Sequence, residues 1–456
     1  MTLLVRHPEG NEAERRYIYD VILRKFLGLE LEWIAEARKD VRIELPESDD
    51  RYLTIADVFM QLPWLDETSL PRIPLQTWTA SDVADIPQPL PVLYGKPFCS
   101  LNDRAIHLEI DIFGSCFFML SRYEEAVRHE RDRHGRFPST ESVASLGDFI
   151  DRPIVNEYTE VLWSCLARLW PNLRRRSREF RMIATCDVDS PITCWARKPA
   201  STLRRMTKSL LEEHSLGRGL AALKLHLQHR RGFYDLDPNM TFNWMLEQCE
   251  TAGVTATFYF ICDHSSPAYD GCYRIDEPFI RRLLGRIHAA GHQLGVHGSY
   301  NSYCSSSQLR KEVCLMKKVL SEEHIDQEII DGRQHYLRWQ TPTTARSIVE
   351  AGLARDSTLG FAERAGFRCG TCYEYPLYDV GARRPLLLLE RPLISMEQSV
   401  ISPIYMGLGH SDDAVLALLN LKRTCRFFGG DFVLLWHNSS LASPREREMY
   451  QAVLND

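Results

Sequence analysis

Two carboxylates stand two residues apart in Thr185-Cys186-Asp187-Val188-Asp189-Ser190, directly behind the apolar run Met182-Ile183-Ala184. Such a run predicts a buried strand, and strand alternation puts positions i and i+2 on one side. Asp187 and Asp189 are therefore expected to point together into the crevice beyond the carboxyl ends of the strands, where α/β sheets place their chemistry. Like charges this close are relieved by a shared cation or by a proton held on one of them. The same residues also suit a turn and helix cap. The strand alone does not choose between these readings.

Histidines at two further strand ends favour chemistry. Gln293-Leu294-Gly295-Val296-His297 and Leu434-Leu435-Trp436-His437 each close an apolar run with an imidazole. One imidazole and one carboxylate begin a site for a divalent ion such as Zn²⁺, Co²⁺ or Mn²⁺. Arg338, on an expected strand Tyr336–Trp339, can hold an aspartate ionised and oriented. His437 is placed to protonate a leaving group. His129-Glu130-Arg131-Asp132-Arg133-His134 looks like a zincin motif, but its histidines are five apart and do not share a helix face as four-apart positions do. That run reads as a charged, solvated surface.

The elements that must position these groups alternate between strand-like and helical patterns from Met182 onward, the sign of a mainly parallel sheet. Expected strands are Met182–Cys186, Val254–Ile261, Gln293–Val296, Tyr336–Trp339, Leu386–Leu389 and Phe432–Trp436. Expected helices include Phe242–Thr251, Phe279–Ala290 and Gln308–Leu320. Upstream, Ile106 to Gly114 alternates as a strand, a helical pattern covers Cys116 to Val127, and a helix Val155–Leu169 closes the first half. Residues 1–175 thus read as a smaller α+β domain with a sub-boundary near 85, and 176–456 as an α/β domain. A basic helical insertion at about 195–231 carries Arg204, Arg205, Lys208, Arg230 and Arg231 beside Leu210, Leu211, Leu220 and Leu223. It is expected either to pack as a solvated helical pair or to touch a membrane surface or an anionic, lipid-linked substrate.

Taken together, the blocks around Asp187/Asp189, His297, Arg338/Pro342 and His437 resemble the polysaccharide deacetylase (NodB homology, carbohydrate esterase family four) proteins. The resemblance covers Met182 to the C-terminus and implies a distorted (β/α) barrel that removes N- or O-acetyl groups from an acetylated saccharide with a divalent metal. By that resemblance Asp187 falls on the base, Asp189 and His297 on metal ligands, Arg338 on the residue that orients Asp187, and His437 on the acid. The second metal histidine of the family falls on Asn301, an amide and a weak ligand for zinc. Tyr300, Trp436 and Arg368 are candidates for contacting the sugar, Arg368 at an anionic part of it. Asp111-Ile112-Phe113-Gly114 and Leu120 to Glu125, together with Arg333-Gln334-His335-Tyr336 and Gly366 to Thr371, are similar to the uncharacterised domain preceding this barrel in bacterial surface-polysaccharide clusters. Because of Asn301, two alternatives stay open: a saccharide-binding scaffold without catalysis, and a metal-independent C–N hydrolase on the same barrel.

Bulk properties narrow the classes further. The 456 residues carry a net charge of -6, which argues against nucleic acid as a partner. Thirteen scattered cysteines suggest a reducing compartment. With no secretory pattern at the N-terminus and no apolar run of membrane-spanning length, the expected location is cytoplasmic. Cys369-Gly370-Thr371-Cys372 lacks the second cysteine pair of a zinc knuckle. No G-x-S-x-G elbow and no glycine-rich nucleotide loop occurs.

Overall fold

The computed structural model describes residues 1–46, 50–327 and 331–455. The first half is built on a six-stranded mixed sheet in the order Glu30–Glu36, Thr2–Pro8, Asp40–Glu44, Tyr52–Ala56, Ala105–Ile110, Gly95–Leu101. Alternation is visible in Ala105–Ile110, where Ile106, Leu108 and Ile110 are buried and His107 points out. Every residue of the helix Ile112–Leu120 is buried, as expected of a helix apolar on all sides. Asp111 caps it, accepting hydrogen bonds from the amides of Gly114, Val58 and Phe59. The helical pattern read from Cys116 to Val127 is in fact two helices. Arg122, in the left-handed region at φ 53°, separates Ile112–Leu120 from Tyr123–Val127.

The second half is a curled, nine-stranded half-barrel in the order Tyr375–Asp379, Arg384–Glu390, Arg355–Asp356, Asp331–Gln334, Gln293–Gly298, Thr257–Ile261, Arg181–Val188, Asp431–Leu435, Ser395–Met396. All neighbours run parallel except the Tyr375–Asp379 edge strand. Its central strands are buried along their length, Thr257–Ile261 and Asp431–Leu435 at every position, because helices cover the sheet and both faces must be apolar. Register then aligns the chemistry. Asp187 pairs with Tyr259, Ile261 with His297, and His297 with Arg333, so their carboxyl ends form one rim.

One expected strand is displaced. Tyr336–Trp339 is not in the sheet; the polar-looking Asp331–Gln334 is, and it is wholly buried. The chain leaves the sheet at His335 through a turn in which Tyr336 (φ 61°) and Leu337 (φ 54°) are both left-handed. Hydrophobicity misled here because the strand's charges are neutralised by neighbours that sequence does not reveal.

The halves share one continuous apolar core. Their seam runs through Gly366 to Thr371: Phe367 N donates to Ile150 O and Val155 N to Gly370 O. A Cβ at Gly366 would meet Ile150 O at 2.4 Å, and its φ of +149° also favours glycine. The basic insertion is a pair of helices, Pro199–Leu211 and Leu216–Arg230. Cys194 at its root is disulfide-bonded to Cys272, 78 residues on. The scattered cysteines gave no hint of that pair, because only the fold brings their Cα atoms to 5.6 Å.

Candidate metal and acid–base site

At the rim, Asp189 is the hub. Its Oδ1 lies 3.2 Å from Nε2 of His297 and 3.4 Å from Nε2 of His335, and its Oδ2 lies 3.5 Å from Nε2 of His437. One donor atom from each of Asp189, His297 and His335 falls within 4.8 Å of the others, close enough to share one metal ion. Their outer partners fix the rings. Nδ1–H of His297 donates to the Arg333 carbonyl (2.9 Å), and Nδ1–H of His335 to Asp270 Oδ1 (3.2 Å). Both Nε2 lone pairs consequently face Asp189, the arrangement by which protein ligands are aimed at a metal.

Asp189 Oδ1 is buried and accepts no hydrogen bond. A carboxylate oxygen facing two imidazole lone pairs is an all-acceptor cluster, and it fits a cation. Burial alone would lower the His335 pKa, but Asp189 and Asp270 raise it to about 9. Asp189 is held well below the usual carboxylate range, its burial outweighed by His335 and His297. Asp270, whose burial is likewise outweighed, is lowered by His335 and by the amides of Tyr300 and Ser266.

Two charge pairs flank the hub. Asp187 Oδ1 accepts from Arg333 Nη1 at 2.9 Å, and Oδ2 is 3.5 Å from His297 Nε2. Arg333 is fully buried and fixed on every side, donating to Thr185 Oγ1 (2.7 Å), to the Ser357 carbonyl (2.8 Å) and to Ser357 Oγ (2.9 Å) over the ring of Tyr259. His437 Nδ1–H donates to Glu397 Oε1 at 2.7 Å. Burial would depress the pKa of His437, but Glu397 and then the aspartates lift it to about 10, so the ring is an imidazolium near neutrality. Asp189 and His437, with 28% and 16% of their side chains exposed, form the open side of the cluster.

The structure therefore brings together Asp187, Asp189, His297 and His437 and sets Arg338, Asn301, Arg368 and Trp436 among other partners. Arg338 does not reach Asp187. Its guanidinium donates to the carbonyls of His134 and Tyr300, to Asn301 Oδ1 and to Tyr303 Oη, because it lies beyond the turn that leaves the sheet; Arg333, inside the strand, is the guanidinium that contacts Asp187. Asn301 turns its side chain to other partners. It is exposed, its amide donates to Ser265 O and its oxygen accepts from Arg338, while His335, just past the end of the neighbouring strand, brings a donor atom close to those of Asp189 and His297. Arg368 cannot reach a sugar, being buried in a bidentate pair with Glu125 of the first half. Trp436 points into the core and donates to Ser440 O. Tyr300 belongs to an aromatic group beside the site, stacked on Tyr269 at 4.2 Å with Tyr336 edge-on at 5.3 Å.

His134 joins that group. Expected to be solvated, it is buried, hydrogen-bonded to Tyr300 Oη at 3.0 Å and 4.7 Å from the Tyr336 ring. Arg136 donates to Tyr336 O, so a loop of the first half braces the turn that delivers His335. Sequence reasoning missed Arg333, His335, Glu397 and Asp270. Arg333 and His335 stood in a quoted motif, one residue to either side of Gln334, while Glu397 carries no local signal.

Residues 3–171 match the model of a family described as a family of unknown function (DUF7033). No curated protein matches. Among solved structures, the chain is similar to a protein described as a polysaccharide deacetylase from Mycobacterium smegmatis (16% identity, TM-score 0.39, covering 61% of this chain and 83% of that one). It is also similar to PuuE allantoinase (14%, TM-score 0.36, 59% and 82%) and to a protein described as a polysaccharide deacetylase from Pseudomonas aeruginosa PAO1 (13%, TM-score 0.37, 69% and 90%).

Proposed function

We propose that this protein is a metal-assisted hydrolase that removes an acetyl group from an acetylated sugar. The observation that carries the reading is the pairing of a buried anion–cation dyad, Asp187–Arg333, and an imidazolium–carboxylate dyad, His437–Glu397, on either side of Asp189, His297 and His335. The motif resemblance around these residues supplies the acetylated saccharide as substrate class.

Asp189, His297 and His335 would hold the ion, Zn²⁺, Co²⁺ or Mn²⁺ being suited to one carboxylate and two imidazoles. Such an ion polarises an acyl oxygen and makes a bound water acidic. Asp187, aimed by Arg333, accepts the proton of the attacking water. His437, kept charged by Glu397, gives its proton to the departing amine or alkoxide as the C–N or C–O bond breaks. A binding module has no need of a poised base and a poised acid at one rim, which sets this reading above the scaffold alternative.

Metal content by mass spectrometry and acetate release from N-acetylated oligosaccharides test it together. His335→Ala is expected to lose both metal and turnover, Asp187→Asn turnover only, and Asn301→Ala neither. Metal retained in full by His335→Ala, or turnover intact in Asp187→Asn, defeats the assignment.

A further inference from the structure

Of the twenty large hydrophobic residues that stand exposed among the described residues, eight fall between 203 and 236, so the chain's exposed apolar surface is concentrated on one element. Leu203, Leu211, Leu216, Leu220, Phe233 and Leu236 are 64–72% exposed. Leu216, Leu220 and the half-exposed Leu227 recur at helical spacing along Leu216–Arg230 and make a stripe on it. Burial is provided elsewhere on the same helices, through Thr202, Ser209, Gly219, Ala222, His226 and His229. The hairpin thus packs on the protein largely with small and polar residues and turns six of its helices' eight leucines outward, Leu223 and Leu225 being half-buried, the reverse of an ordinary surface helix.

The same element is basic in an acidic protein. From Lys198 to Leu236 stand eight lysines and arginines and three acidic residues, Glu212, Glu213 and Asp235, whereas the chain as a whole is at -6. A groove of about 460 Å³ opens beside the stripe, lined by Arg205, Arg218 and Lys224 together with Trp195, Leu225 and Leu236. Glu213 pairs with Arg218 (3.1 Å) and more distantly with Arg205 (3.6 Å), which leaves the groove net positive.

We infer that the 198–236 hairpin seats the protein on an anionic lipid surface, its leucines and Phe233 entering the headgroup boundary and its cations meeting lipid phosphates. Interfacial helices combine these two features, an apolar face for the acyl boundary and Lys/Arg for anionic lipid. Charge complementarity selects the occupant: a second copy of this chain would bring the same positive groove against itself. No helix of the described residues is long and apolar enough to cross a membrane, so contact would be peripheral. The hairpin is anchored to the site rim. Cys194 is bonded to Cys272, Asp237 accepts from Thr193 and His229, and Asn239 Nδ2 donates to Ser190 O, next to Asp189. The inference does not depend on the catalytic reading.

The test is co-sedimentation of the full chain with vesicles of phosphatidylcholine alone and of phosphatidylcholine mixed with phosphatidylglycerol, at low and high salt. Binding to the mixed vesicles, weakened by salt, is expected, with little on neutral ones. The variant Leu216→Ser/Leu220→Ser/Leu227→Ser should bind at least tenfold more weakly. Arg204→Glu/Arg205→Glu/Lys208→Glu should lose affinity by roughly fivefold or more per cation and with it the salt dependence. All six positions avoid the metal-site and acid–base residues, and circular dichroism confirms folding before binding is read. Absence of binding to the mixed vesicles, equal binding to both kinds, or a concentration-dependent dimer that disappears in the leucine variant without vesicle binding each overturns the inference.

Discussion

Removing the negative charge from Glu125 should destabilise the seam between the two halves. Glu125 and Arg368 are each about 1% exposed and joined by two bonds of 2.9 Å across the seam. Arg122, equally buried, donates to Glu125 (3.0 Å) and Glu124 (2.8 Å) and to the carbonyl of Arg368. Glu124 in turn accepts from Ser142 Oγ and Val143 N, both at 2.8 Å. Burial would raise the pKa of Glu125, but Arg368 and Arg122 outweigh it and bring it to about 2, against an ordinary 4.5. At about 1.4 kcal/mol per pH unit, that displacement corresponds to about 3 kcal/mol of stability at neutral pH. A depressed carboxylate contributes fully above its unfolded value and loses its contribution as pH falls, here between about 4.5 and 2. Glu125→Gln leaves two guanidiniums buried with one carboxylate between them, a loss of the same size, about 3–5 kcal/mol. Urea denaturation at pH 7, 4 and 3 reads both effects. The wild type should exceed the variant by about 3 kcal/mol at pH 7, and the gap should narrow toward pH 2. A variant within about 1 kcal/mol of wild type at pH 7, or a gap that stays constant through the acid range, refutes the argument.

Other outcomes concern the site itself. Arg333→Met should lower turnover by about a hundredfold or more by releasing Asp187, with a smaller loss for Arg338→Met; equal losses would restore the sequence-based assignment of Arg338. Asp270→Asn, which disturbs the acceptor of His335 Nδ1–H, should weaken metal binding by roughly 10–100-fold in competition with a chelating indicator, and unchanged affinity would remove Asp270 from the site. Glu397→Gln should reduce turnover by about 10²-fold or more while metal content stays at the wild-type level; metal loss instead would mean that His437 is a ligand. His134→Ala deletes one hydrogen bond to Tyr300 and should raise KM by about five- to tenfold more than it lowers kcat, whereas a pure stability defect would leave KM unmoved.

Much of this was legible in the chain itself. The alternation of apolar runs with helical patterns gave the parallel sheet, and period-two spacing put Asp187 and Asp189 on one side of a strand, since both are local consequences of backbone geometry. His297 and His437 were found for the same reason, each ending an apolar run. Residues whose roles depend on register between strands far apart in sequence were not. Arg333 and Arg338 are five positions apart and alike in type, and only the pairing of His297 with Arg333, followed by two left-handed residues, decides which one faces Asp187. His335 reaches the cluster because the neighbouring strand ends at the same rim. Glu397 and Arg368 draw their roles entirely from partners 40 and 243 residues away. Local sequence determines which groups a strand end or helix face presents. Which groups then meet is set by packing of the whole sheet, because ion pairs and metal ligands are fixed by distance in space, and chain separation carries no record of it.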